Sequence, residues 1–545
     1  MTCQPGNLPA RLFVPATIGR GVPMPQQRPR GRRSGPCATL NPVSVLNQAS
    51  PSTALPNAAL VPRPSACPGL LRIVAARDGG ICRIKLPGGE LSAAQAIVIA
   101  DASMWHASGV IELTNRANLQ VRGVRSGHET ALIAALVDAG LGPAIGPTAE
   151  PTVGPTVGPT AVLTVGATPG SSTTSAAEDA SSVLLAASAD DVRNVMVSPT
   201  AGRDPFALFD TRPLCLELLA LLQTEARFAA LSPKFALLLD GGERLARLDH
   251  PHDVWLAATQ SDGAVRFVFG LAGCPASEAN APPGALAAVL PSQVAALVRA
   301  LLHTFLDLAT ADATRMRHVL AAHSFDAVLL HAQRYVDFPL SRDMSLAHWQ
   351  RGTPADATLR LGAHAQRGVG LQHAGGQPPL GRVTAVTLRG LAEISQQRGN
   401  GTLRITPWQS VLLPDIATHD APAVVADMTA LGLACDPAQA ITRLIACAGS
   451  TGCAKGFADT KADALLLADR LSGDVDVHLS GCPRSCAAAH CAPYTLLATA
   501  PGIYDLFQRD GKPGFGSCVA RQLTIERAAD LLDSSAHPAW SPSDA

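Results

Sequence analysis

Cys447-Ala-Gly-Ser-Thr-Gly-Cys453 and Ser480-Gly-Cys482-Pro-Arg-Ser-Cys486 are the two stretches that decide how this chain folds and what it carries. Between them, residues 456–471 read as a helix and 475–479 as a strand, so the order is C-x5-C, helix, strand, C-x3-C. A helix–strand unit brings the second loop back to the first, where four sulfurs can surround one centre. Thiolates are the preferred ligands of soft metals and iron–sulfur clusters. Structural zinc favours C-x2-C to C-x4-C knuckles, whereas a wider loop of small residues wraps a bulkier cubane; Gly449 and Gly452 allow that loop to fold back with positive φ. Buried free thiols are the plainest alternative. They suit Cys67, Cys82, Cys215, Cys274, Cys435 and Cys518, which have no partner at useful spacing, and suit the quartet poorly. Cys491 is read as a bystander.

Working outward from the quartet, a second pattern emerges. Gly401–Ile416 (GTLRITPWQSVLLPDI) lies on Gly109–Val124 (GVIELTNRANLQVRGV) without a gap, placing Gly109 on Gly401 and Thr114 on Thr406. Each segment alternates like a strand and follows a helical stretch, residues 91–102 with Ser92 as cap and residues 383–397. Strand-like runs at 70–74 and 80–86 precede the first. The chain therefore reads as internally duplicated. Between the copies, 213–230 and 292–309 read as helices, and 234–240, 254–258 and 265–271 as strands.

Composition narrows the function classes. With 545 residues the chain exceeds what one core usually supports, so several domains are expected. Lys+Arg and Asp+Glu balance at 43 each, which argues against nucleic acid or an anionic membrane as the main partner. No apolar run is long enough to span a bilayer. Thirteen cysteines at this length are not disulfide-scaffold density, and the expectation is a reducing compartment, the cytoplasm, with a metal site.

With the quartet and the duplication together, the sequence resembles the nitrite/sulfite reductase superfamily, from Cys67 to about Ala529. The resemblance implies an α+β fold: two pseudo-symmetric ferredoxin-like halves plus two larger α/β domains, the C-terminal one carrying a [4Fe-4S] cluster on Cys447, Cys453, Cys482 and Cys486. The implied division is a disordered Pro/Arg-rich extension at 1–66, a first half at 67–130, a low-complexity linker or insert at 131–189, a first α/β domain at 190–345, a second half at 346–424 and the cluster domain at 425–545. Siroheme-dependent members of the superfamily ring the distal face with cations. The matching positions are Arg116 in Thr114-Asn115-Arg116, Arg193 in Arg193-Asn194, and Lys234 in Ser232-Pro233-Lys234-Phe235-Ala236. A further Lys of that last motif is replaced by Ala236, so one anion-facing charge is missing. Arg83, Lys85 and Arg404 are weaker candidates that a solvated strand face explains about as well.

That loss tilts the resemblance away from reduction of a small anion and towards the branch that hydroxylates precorrin-3A with dioxygen and closes a lactone in the aerobic cobalamin pathway. Arg and Lys would then bind the carboxylates of the tetrapyrrole substrate. The resemblance further implies either an additional iron or siroheme. Of the histidines near the motifs, His364, His373, His478 and His490, none is assigned as a ligand. No G-x-G-x-x-G opens a βαβ unit, so electrons from NAD(P)H are expected through a separate donor protein. A siroheme-dependent sulfite or nitrite reductase explains the cysteines equally well, and a zinc-stabilised or electron-transfer scaffold is the non-catalytic reading.

Overall fold

Ser92 and Thr384 show why the two copies fold alike. The Ser92 hydroxyl accepts from Gln95 N while the Gln95 side chain accepts from Ser92 N, and this capping box opens the helix Ala93–His106. Thr384, accepting from Thr387 N, opens the helix Ala385–Arg398 at the equivalent place. The computed structural model describes residues 67–143, 189–261, 263–276, 284–472, 474–488, 492–511 and 514–536. The extension at 1–66, residues 144–188 of the linker or insert, His490 and Cys491 lie outside the described residues.

In chain order, the first half contains β1 (Val74–Ala76), β2 (Gly79–Ile84), β3 (Glu90–Ser92), the helix Ala93–His106, β4 (Val110–Leu113), β5 (Leu119–Val124) and the helix Glu129–Asp138. A first lobe follows, with β6 (Val195–Val197), the helix Arg212–Thr224, β7 (Leu237–Asp240), β8 (His252–Ser261), β9 (Ala264–Gly273), β10 (Ala287–Val289) and the helix Val294–Leu308. The second half repeats the first as β11 (Gly362–Ala365), β12 (Leu371–Gly376), β13 (Arg382–Thr384), the helix Ala385–Arg398, β14 (Thr402–Ile405), β15 (Val411–Ala417) and the helix Ala421–Ala430. The second lobe has β16 (Leu444–Ala446), the helix Thr460–Ala468, β17 (Val477–Ser480), β18 (Tyr494–Ala500), β19 (Ile503–Gln508), β20 (Ser517–Leu523) and the helix Ile525–Ala536.

The halves exchange a strand. Their sheets run β1-β2-β5-β4-β13 and β11-β12-β15-β14-β3, so each is completed by the short third strand of the other. Val383 stands opposite Ile111 and Leu91 opposite Leu403. The crossing is fixed reciprocally by Ala93 N donating to Gly401 O at 2.8 Å and Ala385 N donating to Gly109 O at 2.9 Å. One apolar core, including Leu91, Ile111, Val383 and Leu403, is common to both halves. Each lobe has its own core and the same sheet: β6, β7 and β8 parallel and β9 and β10 antiparallel, matched by β16 to β20.

Several local expectations need correction. Gly109–Val124 is a hairpin, not one strand. Thr114 Oγ1 accepts from Asn118 N, and Ala117 takes a left-handed turn at φ 55°. The run at 70–74 pairs only from Val74, because Leu70 N is taken by the Asp190 carboxylate at 3.0 Å. The helix expected at 456–471 starts at Thr460, capped by Asp459; Gly456 ahead of it presses so closely on Gly449 that a Cβ would lie 2.6 Å from its carbonyl carbon. Positions 130 and 424 fall inside the helices Glu129–Asp138 and Ala421–Ala430.

Candidate metal and substrate site

The cysteines stand on the two loops that leave β16 and β17. Parallel pairing of these strands sets the loops side by side, as the two-loop reading requires. Cys447 Sγ accepts from Gly481 N at 3.2 Å and lies 3.5 Å from Thr460 Oγ1, which donates to Cys447 O. A Cβ on Gly481 would lie 3.3 Å from Gly456 Cα, so glycine there lets the second loop pack tightly against the first. Cys486 is exposed; burial of its sulfur and then the charges of Cys482, Cys447 and Cys453 push its thiol up. The other three cysteines of the quartet thus all act on Cys486. Among the described residues no three His, Cys, Asp or Glu side chains close on a single metal ion. The thiolates of a cubane each meet a different iron, so donors from two neighbouring loops suit that group without such convergence.

The two cysteine loops rest on the first half. Asn115 Nδ2 donates to Ala487 O at 3.1 Å, Arg122 Nη2 to Gly452 O at 3.1 Å, and Arg77 Nη1 to Ser450 O at 3.0 Å. Beneath them Glu112 accepts from Arg382 at 2.8 Å and faces Arg122 at 3.4 Å and Lys461 at 3.8 Å. Lys461 Nζ also donates to Leu380 O at 2.8 Å. The sequence reading singled out none of Glu112, Arg122, Arg382 or Lys461. A buried Arg in a strand otherwise facing the core was the available signal for Arg122.

The basic candidates differ in what surrounds them, and of them Arg83 feels the charge of Cys486. Arg83 carries a guanidinium lowered by burial and raised in part by the charges of Cys67, Asp191, Asp190 and Cys486. Gln120, with its amide turned so that the oxygen faces the strand, accepts from Arg83 Nε at 3.0 Å and Nη2 at 2.7 Å. Arg116 Nη1 donates to Pro233 O at 3.3 Å; burial first, then Arg315 and Arg83, bring its guanidinium down to about 10. Lys85 is buried and donates to Asp191 O at 2.5 Å. Burial pulls its ammonium down to about 7 against the opposing pull of Asp190 and Asp191. Lys234 is exposed. Arg193 is engaged: it donates to Asp190 at 2.7 Å and to Leu141 O at 3.3 Å, and its Nε is buried without a partner.

Position 236 explains what the missing Lys leaves behind. Ala236 is buried, and its N donates to Asp253 Oδ2, part of the carboxylate whose two oxygens both accept from Arg315 Nε at 3.0 and 2.8 Å. Arg315 thus brings a cation close to Arg116 from another element, already neutralised by Asp253. Arg404 belongs elsewhere, fully buried and paired with Glu90 and the Gly88 carbonyl. His364 and His373 donate to the carbonyls of Leu361 and Leu359, and burial brings His373 down to about 4. His478 is buried without a hydrogen bond.

The first lobe has the corresponding loops without the thiols. Counted from the strands that open them, Cys447 and Cys453 answer to Ser198 and Asp204, and Cys482 and Cys486 to Gly242 and Ala246. There Ser198 Oγ donates to Leu245 O at 2.8 Å and Asp204 pairs with Arg244 at 3.2 Å, tying loop to loop directly.

A family model described as the nitrite and sulphite reductase 4Fe-4S domain matches residues 188–338, and one described as the nitrite/sulfite reductase ferredoxin-like half domain matches residues 75–139 and 364–431. The chain belongs to the nitrite and sulphite reductase superfamily, with the first model falling on the lobe that lacks the quartet. Within it, the chain is 26% identical over 478 residues to a precorrin-3B synthase of Sinorhizobium sp, covering 84% of this chain and 88% of that protein. It is 28% identical over 324 residues to a ferredoxin–nitrite reductase of Synechococcus elongatus, covering 56% of this chain and 62%, less than two thirds, of that protein. Against the chloroplastic ferredoxin–nitrite reductase of Zea mays it is 25% identical over 433 residues, 75% of this chain and 68% of the other. The solved structure of Mycobacterium tuberculosis NirA protein superposes with a TM-score of 0.62 at 20% identity, covering 83% of this chain and 79% of that one, and shows the shared fold.

Proposed function

We propose that this chain acts as a precorrin-3B synthase: an iron–sulfur oxidoreductase that hydroxylates precorrin-3A with dioxygen and closes a lactone. The observation that carries the reading is that Asn115, next to Arg116, donates to Ala487 O, next to Cys486, at 3.1 Å, which sets one of the cations beside the thiol loops. A polyacidic macrocycle held by that cation would sit beside the thiol loops. The match to the precorrin-3B synthase, over 84% of this chain and 88% of that protein, is in keeping with the same reading.

In this reading Arg116, Arg83 and Lys234 take substrate carboxylates through charge-assisted hydrogen bonds, the arginines in bidentate fashion. Gln120 fixes the plane of the Arg83 fork. Lys85 adds a charge below it that is present only when its site is protonated. Arg193, held by Asp190, keeps the adjoining loop in place and orients Asn194, whose amide donates to Pro233 O at 2.9 Å and Phe235 O at 3.2 Å beside Lys234. Cys447, Cys453, Cys482 and Cys486 would hold the cubane, which when bound supplies electrons one at a time, drawn from NAD(P)H through a donor protein. The missing cation at Ala236 weighs against sulfite or nitrite as substrate, because concentrated positive charge is what reduction of a small anion requires.

A siroheme-dependent nitrite or sulfite reductase is the second reading, favoured by the nitrite reductase relatives and by Arg116, Arg193 and Lys234 at the positions described above. Turnover of precorrin-3A under labelled dioxygen separates the two. Label is expected in the product of the intact protein and not with Cys486→Ala. An isobacteriochlorin absorption band in anaerobically purified protein, with no label incorporated, would transfer the assignment to the reductase.

A further inference from the structure

We infer that Arg122 is a positioning residue that holds the Cys453 loop and biases a cubane bound there towards its reduced state. The inference rests on the reading that the four cysteines carry such a cluster. Arg122 lies in β5 with a side chain only 4% exposed. Its Nε and Nη2 form a fork on Asp78, each at 2.8 Å, and its Nη1 faces Glu112 at 3.4 Å. With the guanidinium so fixed, Nη2 donates to the carbonyl of Gly452, the residue before Cys453. Gly452 is fitted to this contact: a Cβ there would stand 2.6 Å from Nη2. The Cys453 sulfur is among the charges that act on the guanidinium.

The surrounding charges give this contact a redox consequence. Arg122, Arg382 and Lys461 approach from the halves and the second lobe, and Asp78 and Glu112 oppose them. One cation is left in excess, with Arg122, Lys461 and Glu112 shielded from water and Arg382 and Asp78 partly exposed. Reduction adds one negative charge to a cubane with four thiolate ligands, so a fixed neighbouring cation stabilises the reduced form more than the oxidised one. Arg122 does this from a position set by Asp78. Removing the guanidinium charge and removing the Asp78 charge must therefore move the potential in opposite directions, an outcome that a purely structural anchor does not produce.

The test uses the full chain loaded with iron and sulfide, with dithionite as electron donor and electron paramagnetic resonance as readout. At the wild-type midpoint, Arg122→Gln is expected to lower the reduced-to-oxidised ratio about tenfold, equivalent to 59 mV for one electron. Asp78→Asn is expected to raise it. Arg122→Lys keeps the charge but loses the fork, so its ratio stays near wild type while iron passes to a chelator several-fold faster. Unchanged ratios in Arg122→Gln and Asp78→Asn, or shifts of the same sign, overturn the inference. Should Arg122→Gln retain no iron, the other two variants decide: a raised ratio in Asp78→Asn with faster iron loss from Arg122→Lys sustains it, and the lack of either overturns it. Wild-type protein that never takes up labile sulfide overturns the cluster reading itself, a different result from a loaded cluster whose potential ignores both substitutions.

Discussion

At Lys85 burial and charge pull in opposite directions. The ammonium has lost its water and has only partial compensation from Asp190 and Asp191, so it releases its proton at about 7 instead of its ordinary 10.5. The unfolded chain keeps that proton to higher pH, so the burial cost is greatest below about 7 and fades as pH rises towards the ordinary value. Ligand binding runs the other way. A polycarboxylate favours the charged form, so its affinity should be full below neutrality and fall as pH rises past it. With uroporphyrin as probe and fluorescence quenching as the measurement, the expected loss from pH 6 to pH 8 is about tenfold, the scale of one charge-assisted hydrogen bond. Lys85→Met should bind weakly at both values; an unchanged pH slope in that variant would remove Lys85 from the cations that act on the ligand. The sequence offered Lys85 and Arg83 only as one more basic strand pattern. What distinguishes them is the pair Asp190-Asp191, which arrives from across the linker, a contact invisible in local spacing.

The exchanged strands govern the next scale. β3 and β13 are three residues each, Glu90-Leu-Ser92 and Arg382-Val-Thr384, too short for alternation to reveal which sheet they join. The duplication itself was legible because Gly109–Val124 and Gly401–Ile416 share turn chemistry as well as apolar pattern: Thr114 and Thr406 both accept from the residue that closes their turn. The exchange was not, since it depends on pairing between segments far apart in the chain. Its consequence can be measured. Leu91 belongs to the first half by sequence but is buried against Leu403 of the second. Leu91→Ala should cost about 2–5 kcal/mol in denaturant unfolding. Hydrogen exchange should accelerate first in β14, at Thr402–Ile405, and less in β4. Faster exchange confined to β4 would mean that the strands pair within their own halves.

Across the whole molecule, two lobes of one topology have been given different interiors. In the second, the loops after β16 and β17 present four sulfurs and approach closely through small residues, with Gly449, Gly456 and Gly481 in close backbone contact. In the first, the same space is crossed by Ser198 to Leu245 and Asp204 to Arg244, while Asp240 receives a fork from Arg351 at 2.7 and 2.9 Å. None of these contacts offers a thiolate, and only the Asp240–Arg351 pair is buried on both sides, so that removing one of its partners strands the other at a cost of about 3–5 kcal/mol. Cysteine content alone made this asymmetry readable, because the lobe matched by the 4Fe-4S family model is the one without the quartet. Anaerobic reconstitution followed by iron and sulfide analysis should accordingly give one cubane per chain, never two, and Cys447→Ala should abolish it rather than halve it. Asp204→Ala in the first lobe should lower thermal stability and leave the iron content unchanged. Iron that survives in Cys447→Ala but leaves with Asp204→Ala would place the metal in the first lobe, out of reach of the quartet and of the cations beside it.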